Sequence, residues 1–203
     1  SFGTIAGALN ARLDQALMPA VVPLRELGFY SVAVVIAEIP AIITSVAVRN
    51  VLAEASSGVK GHEVIRDLAV SGIAQALMIG ALLIIGPIAV PLMFGSAFAP
   101  ALSYLSILLL STFIGFWGSC ACAYLAGSGK PALGSTGPAI GALTTSILFW
   151  VCWQDLDALT VAWISVASQL AMGGASGVLL LHFVRHRNAK SSMAPSVPAP
   201  EMQ

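Results

Sequence analysis

Asn10, Arg12, Asp14 and Gln15 put a cation, an anion and two carboxamides within two helical turns of a segment, residues 2–23, that is otherwise apolar. Such groups in a membrane helix are costly. Arg and Asp at a helix centre each cost roughly 2.5–3.5 kcal/mol on insertion scales, about 5–7 kcal/mol together. The apolar residues Phe2, Ile5, Leu9, Leu13, Leu17, Val21 and Val22 return about 0.3–0.6 kcal/mol each, roughly 2–4 in all. The segment therefore needs partner helices or a water-filled cavity. Asn10 and Asp14 are four apart and share a face, whereas Arg12 and Asp14, about 200° apart around the axis, cannot pair with each other. Each must find a partner on another helix, a lipid headgroup or water. Glu38 is the natural counterpart. It lies about midway along the next apolar segment, and at ~1.5 Å per residue it reaches a depth similar to that of Arg12. The two are expected to pair between helices or to line a polar central cavity. A buried ion pair that only fixes packing is the plain alternative. Intramembrane ionisable groups mark substrate or proton paths by default.

The elements that must position these residues follow from composition. The chain is 58% hydrophobic and 9% charged, against about 25% charged in a soluble domain, with a mean hydropathy of +0.91. Between Leu68 and Gly129 there is no Asp, Glu, Lys, Arg or His, a run far longer than the ~20 residues one membrane helix needs. The predicted class is all-α, a polytopic membrane helical bundle of six transmembrane helices. They are expected at about 2–22, 28–48, 68–93, 98–126, 132–153 and 158–184, forming one unit over 1–187. A polar loop is expected at 49–67, and the Pro-rich stretch 188–203 as a disordered tail. Pro19, Pro40, Pro87, Pro91 and Pro138 fall within helices and are expected to bend them; Pro40 frees the carbonyl of Ile36 beside Glu38. Gly134, Gly137, Gly141, Gly173, Gly174 and Gly177 suggest close helix packing.

Six crossings sort the basic residues by side. Arg49, Lys60, Arg66, Lys130, Arg185, Arg187 and Lys190 collect on one side and Arg25 alone on the other, with Arg12 inside the membrane. This positive-inside pattern puts the C-terminus in the cytoplasm, and Trp150 and Trp153 at the opposite interface. The net charge of zero suggests no nucleic-acid partner. Cys120, Cys122 and Cys152 lie in apolar segments and read as packing residues. His62, His182 and His186 have no metal spacing. Gly174-Ala-Ser176-Gly177 resembles the GxSG of rhomboid proteases but lacks a His on a later helix, and Gly127-Ser-Gly129-Lys130 departs from a phosphate-binding loop. No enzyme activity, resident metal or cofactor is expected. The first residues are apolar with no basic region before them, so they do not read as a signal peptide. The chain is expected to be part of a longer protein.

Three stretches carry a family resemblance. Asp14 followed by Glu26-Leu-Gly28-Phe-Tyr30-Ser-Val-Ala33 is the first. Met93-Phe-Gly95-Ser-Ala-Phe98 with Ala101 and Leu105-Ser-Ile-Leu108 is the second. Leu125-Ala-Gly127-Ser-Gly129-Lys-Pro131 is the third. In this order and spacing, over about residues 5–185, they resemble the second half of polysaccharide flippases of the multidrug/oligosaccharidyl-lipid/polysaccharide exporter superfamily. The family's usual Arg directly after the Asp is Gln15 here. The resemblance implies a C-terminal six-helix bundle around a central cavity, completed by an N-terminal bundle of the same protein. It implies a bacterial inner-membrane flippase moving a polyprenyl-diphosphate-linked oligosaccharide for surface polysaccharide (lipopolysaccharide or exopolysaccharide) synthesis, with membrane lipids as its surroundings. Asn10, Arg12, Asp14, Gln15 and Glu38 would then bind substrate or couple an ion, H+ or Na+. Arg12 would meet diphosphate or sugar; Asp14 and Glu38 would carry the coupling ion. The alternatives are half of a multidrug/toxin cation antiporter and a non-transporting membrane scaffold of polysaccharide assembly.

Overall fold

The structure, a computed structural model, describes residues 22–58 and 61–192. Among them are six α-helices: α1 (Leu24–Ala37), α2 (Ala41–Ser57), α3 (Gly61–Phe94), α4 (Ala101–Gly127), α5 (Pro131–Val151) and α6 (Ala158–Ser192). Two 3-10 turns, Ser96–Phe98 and Trp153–Asp155, precede α4 and α6. No strand occurs among the described residues. Four helices, α3 to α6, are long and apolar enough to cross a membrane, and α1 with α2 makes a fifth if the bent pair is one span. The helix predicted at 2–22, Pro19 included, lies outside the described residues.

The segment predicted as one helix over 28–48 is two, meeting at 43° across Glu38-Ile39-Pro40. Pro40 has no amide proton, so the i to i+4 ladder cannot pass through it. The chain tightens instead. Ile39 N–H donates to Ile36 O at 3.2 Å and Ala41 N–H to Glu38 O at 3.0 Å. This leaves Ala37 O without its usual donor, and Thr112 Oγ1 of α4 supplies one at 3.3 Å.

The loop expected at 49–67 is also corrected. α2 continues to Ser57 and α3 starts at Gly61, so charged side chains here extend helices rather than ending them. Ala, Glu and Arg are good helix formers, and a helix beyond the apolar layer needs no apolar residues. The same reasoning covers α6, which runs to Ser192, past the expected onset of disorder at 188.

α4 is the central element. It packs against α1, α2, α3, α5 and α6. One core lies toward the end of the bundle where α1 begins, built by Tyr30, Ala33 and Val34 of α1, Leu105, Leu108 and Leu109 of α4, Phe149 of α5, and Val161, Ala162 and Ile164 of α6. Two smaller cores lie toward the other end, around Ala47, Phe116 and Cys120, and around Val51, Val64 and Ala123. α3 is the most lipid-like helix: Val70, Ile73, Leu77, Ile84, Ile88 and Leu92 are all exposed. An apolar outer face of this kind suits hydrocarbon rather than water. Trp150 and Trp153 are exposed at the α5–α6 turn, as interfacial aromatics are.

The expected small-residue packing holds at some of these glycines and not at others. α5 lies against α4 and α6 because Gly137 has no side chain: a Cβ there would collide with Ser176 Oγ and stand 2.7 Å from Cys122 Sγ. These two atoms lie 3.0 Å apart, one hydrogen-bonding to the other. Gly134 meets Cys122 O of α4 in the same way, and Gly118 of α4 faces Gly173 of α6. Gly174 and Gly177 do not take part, since nothing lies within 4 Å of where their side chains would start.

α6 is capped by Asp157, whose Oδ1 accepts from Thr160 N–H at 2.7 Å. Hydrogen bonding from Thr160 holds the carboxyl below its usual 3.8, against a smaller upward push from partial burial. Asp157→Ala should lower the unfolding free energy by about 1 kcal/mol. The charge-dependent part of that contribution is complete above pH 3.8 and is lost as the pH falls below 3.8 through the lower value of the folded state. Asp157→Asn should keep most of the cap and lose this pH dependence, as thermal unfolding across a range of acidic to neutral pH in detergent would read.

Candidate functional site

A cavity of about 480 Å³ lies level with the α1–α2 elbow, between the cores at the two ends of the bundle. α1 and α2 contribute Glu38, Thr44 and Ser45, α4 contributes Ser111, Thr112, Gly115 and Ser119, α5 contributes Thr145, and α6 contributes Ser165, Ser168 and Gln169. Apolar parts of the wall come from Val34, Val48, Leu108, Phe116 and Met172. The elbow places Glu38: as the residue ending α1, it stands exposed at the edge of the cavity. Helix periodicity places the hydroxyls of α4. Ser111, Gly115 and Ser119 recur every four residues on one face, and that face looks into the cavity.

Four of the lining hydroxyls have a common polarity. Ser45 Oγ donates to Ile42 O at 2.8 Å, Thr112 Oγ1 to Leu108 O at 2.9 Å, Thr145 Oγ1 to Gly141 O at 3.1 Å and Ser165 Oγ to Val161 O at 3.3 Å. Each of these four directs its proton to a carbonyl of its own helix, Thr112 sharing it with Ala37 O, so what they offer a ligand is mainly lone pairs. Glu38, when ionised, accepts only. Two further atoms are buried without a hydrogen-bond partner, Gln169 Oε1 and Thr44 Oγ1. Gln169 fits where it does because position 115 is glycine: a Cβ there would lie 2.8 Å from Gln169 Oε1. Among the described residues lining the cavity there is one carboxylate and no basic side chain. The wall thus offers lone pairs at these hydroxyls and protons at Thr44 Oγ1 and the Gln169 amide, and suits a ligand that both donates and accepts hydrogen bonds.

A further buried polar group lies on α3, which contributes no described residue to the cavity wall. Gln75 of α3 is fully buried, and both Nε2 and Oε1 lack a partner. Each such group costs of the order of 1–3 kcal/mol. Its depth follows from the packing on either side. Val64 and Leu68 pack with Val51 and with Ala47 and Val48 of α2, while Val90 packs with Phe29 of α1. Interpolating along α3 puts Gln75 level with Ala41 and Ile42. On α4, Gly72 abuts Phe116 and Trp117 and Gly86 abuts Leu105, which puts Gln75 near the depth of Ile114, about half a turn from Thr112.

Of the residues that the sequence puts forward for chemistry, Asn10, Arg12, Asp14 and Gln15 lie outside the described residues. Glu38 does line a polar cavity, but from the break between two helices rather than from within one. It forms no ion pair with a described residue; the ion pair present among them is Arg66–Asp67. Thr44, Ser111, Gln169 and Gln75 carry no local signal in the sequence that would single them out. Searches against protein-family models, curated proteins and solved structures find no match to the chain.

The Gly115–Gln169 contact can be tested by its coupling. Gly115→Ala gains about 1 kcal/mol of helix propensity but must displace the amide end of Gln169, so its net effect on stability should be small. With Gln169→Ala already in place, Gly115→Ala should stabilise by about 1 kcal/mol. Unfolding of the two single variants and the double variant in detergent would measure the non-additivity.

Proposed function

We propose that this chain is the C-terminal bundle of a bacterial inner-membrane flippase that carries a polyprenyl-diphosphate-linked oligosaccharide during surface polysaccharide synthesis. The observation that supports this best is the hydroxyl- and amide-lined cavity within an apolar bundle. A glycan presents many hydroxyls in a small volume, each able to donate and accept, and this wall offers polar partners on every helix that lines it. The motif resemblance over about residues 5–185 points the same way. In this reading the described wall meets the sugar, and Arg12 meets the diphosphate. Glu38 and Asp14 take the coupling ion, H+ or Na+. The protein crosses the membrane six times with its C-terminus in the cytoplasm, and an N-terminal bundle of the same protein supplies the facing wall.

Half of a cation antiporter is the second reading, favoured by the carboxylate at the cavity edge. It is the weaker of the two. Cation-selective pockets gain from aromatic faces, and Phe116 is the one aromatic side chain among the described lining residues.

The test is a set of single variants, Arg12→Ala, Asp14→Asn, Glu38→Gln and Gln169→Leu, in the full-length protein in its own cell. Surface polysaccharide would be scored against membrane abundance. The expected result is at least a tenfold loss of polymer at normal abundance for Arg12→Ala and Glu38→Gln. Loss of organic-cation resistance with polymer intact would favour the antiporter. Normal polymer and normal resistance in all four would leave a scaffold role.

A further inference from the structure

Thr112 sits at the depth of the elbow and bonds it, while Gln75 sits within about one turn of that depth and bonds nothing. Thr112 Oγ1 reaches Ala37 O at 3.3 Å while holding Leu108 O at 2.9 Å. One hydroxyl proton is therefore divided between two carbonyls, and the elbow holds the longer, weaker share. Gln75, within about one turn of that depth, has two amide protons and an acceptor oxygen, all unused, in the helix with the most apolar exterior of the bundle. A hydrocarbon-facing helix gains nothing from such an amide unless another state uses it. The elbow is the nearest place where backbone groups change partners, because Pro40 prevents a continuous ladder there.

We propose that Gln75 is a positioning residue for Glu38: its amide gives the α1–α2 elbow a second hydrogen-bonded position, alternative to the one held by Thr112. In the structure Thr112 holds Ala37 O. In the second position Gln75 Nε2 donates to a carbonyl of the 36–39 stretch, and α1 turns relative to α2. Glu38 ends α1, so it moves relative to the cavity edge as the elbow turns. The inference rests on the elbow's hydrogen bonding and not on the identity of any transported substrate.

Spin-label distances would test it. Leu24→Cys and Asn50→Cys, both exposed, label the far parts of α1 and α2, with Cys152→Ser in the background and the protein in lipid nanodiscs. The reference protein should give two distance populations. Gln75→Leu should keep only the Thr112-held population, whose distance matches the 43° bend. Thr112→Val should enrich the other population at least threefold. Gln75→Met, unbranched and without the amide, should behave as Gln75→Leu and serves if that variant does not fold. The proposal is overturned if the reference protein shows one population that neither Gln75 variant alters. It is equally overturned if those variants raise the melting temperature and leave the distances unchanged, which is what a merely unpaired buried amide would do.

Discussion

Pro40 has no amide proton to give, so the helical ladder cannot pass through it. Much of the arrangement around the cavity can be traced to that one missing donor. The helix that would have run through residues 28–48 is split with a 43° bend, and the end of α1 meets α4 at Thr112. Glu38 falls at the break rather than on a regular helical face, so it reaches the cavity edge and remains accessible. Ala37 O loses its usual donor and is met by Thr112, which ties the elbow to the central helix. A continuous helix would have buried these groups in its own ladder and left less reason for α4 to carry a hydroxyl at that position.

The same scarcity of donors accounts for the character of the cavity. A hydroxyl on a membrane helix lowers its cost by donating to the carbonyl one turn back, and Ser45, Thr112, Thr145 and Ser165 each do so. The described wall is uncharged apart from Glu38, and these four hydroxyls face it with lone pairs because their protons are held by helix carbonyls. Thr44 Oγ1 and Gln169 Oε1, both without a partner, are polar groups whose hydrogen bonding the bundle itself does not fix.

The architecture is legible in the sequence where it depends on composition. Apolar runs, the position of Pro40 and the carboxylate at Glu38 are local signals, and they point to the helices that build the cavity and to one of its polar residues. Sequence and structure part where hydropathy stops tracking the backbone. The charged residues of 49–67 read as a loop because a helix outside the apolar layer has no hydropathy signal, although α2 and α3 use them as helix. Thr44, Ser111 and Gln169 escape notice for another reason. Ser, Thr and Gln are ordinary in membrane helices, and nothing local says whether they face a neighbour, lipid or a void. Gln169 matters because a glycine stands opposite it at 115, on another helix. Gln75 is significant only through a register that runs through Phe29, Ala41 and Phe116. The glycines of the α5 and α6 segments show the same limit: Gly137 sits at a contact and Gly174 faces open space, yet in sequence they look alike.

Of the unpaired buried polar atoms among the described residues, Thr44 Oγ1, Gln169 Oε1 and both ends of Gln75 lie within about a turn of the elbow, between a large core at one end and two smaller cores at the other, whereas Glu54 Oε2 lies in the last turn of α2. Well-packed cores resist deformation, because moving one side chain forces its neighbours off their preferred rotamers. The level between them has a void, a broken ladder and hydrogen-bonding groups without fixed partners. A change in shape there disrupts fewer contacts than it would at either end, and it can gain bonds that the present arrangement lacks. Substituting apolar side chains for these polar groups would relieve their desolvation cost, but would also remove the partners that make a second arrangement competitive. The least stable layer of the bundle is therefore also the layer best suited to move, and the cavity lies within it, with Glu38 at its edge.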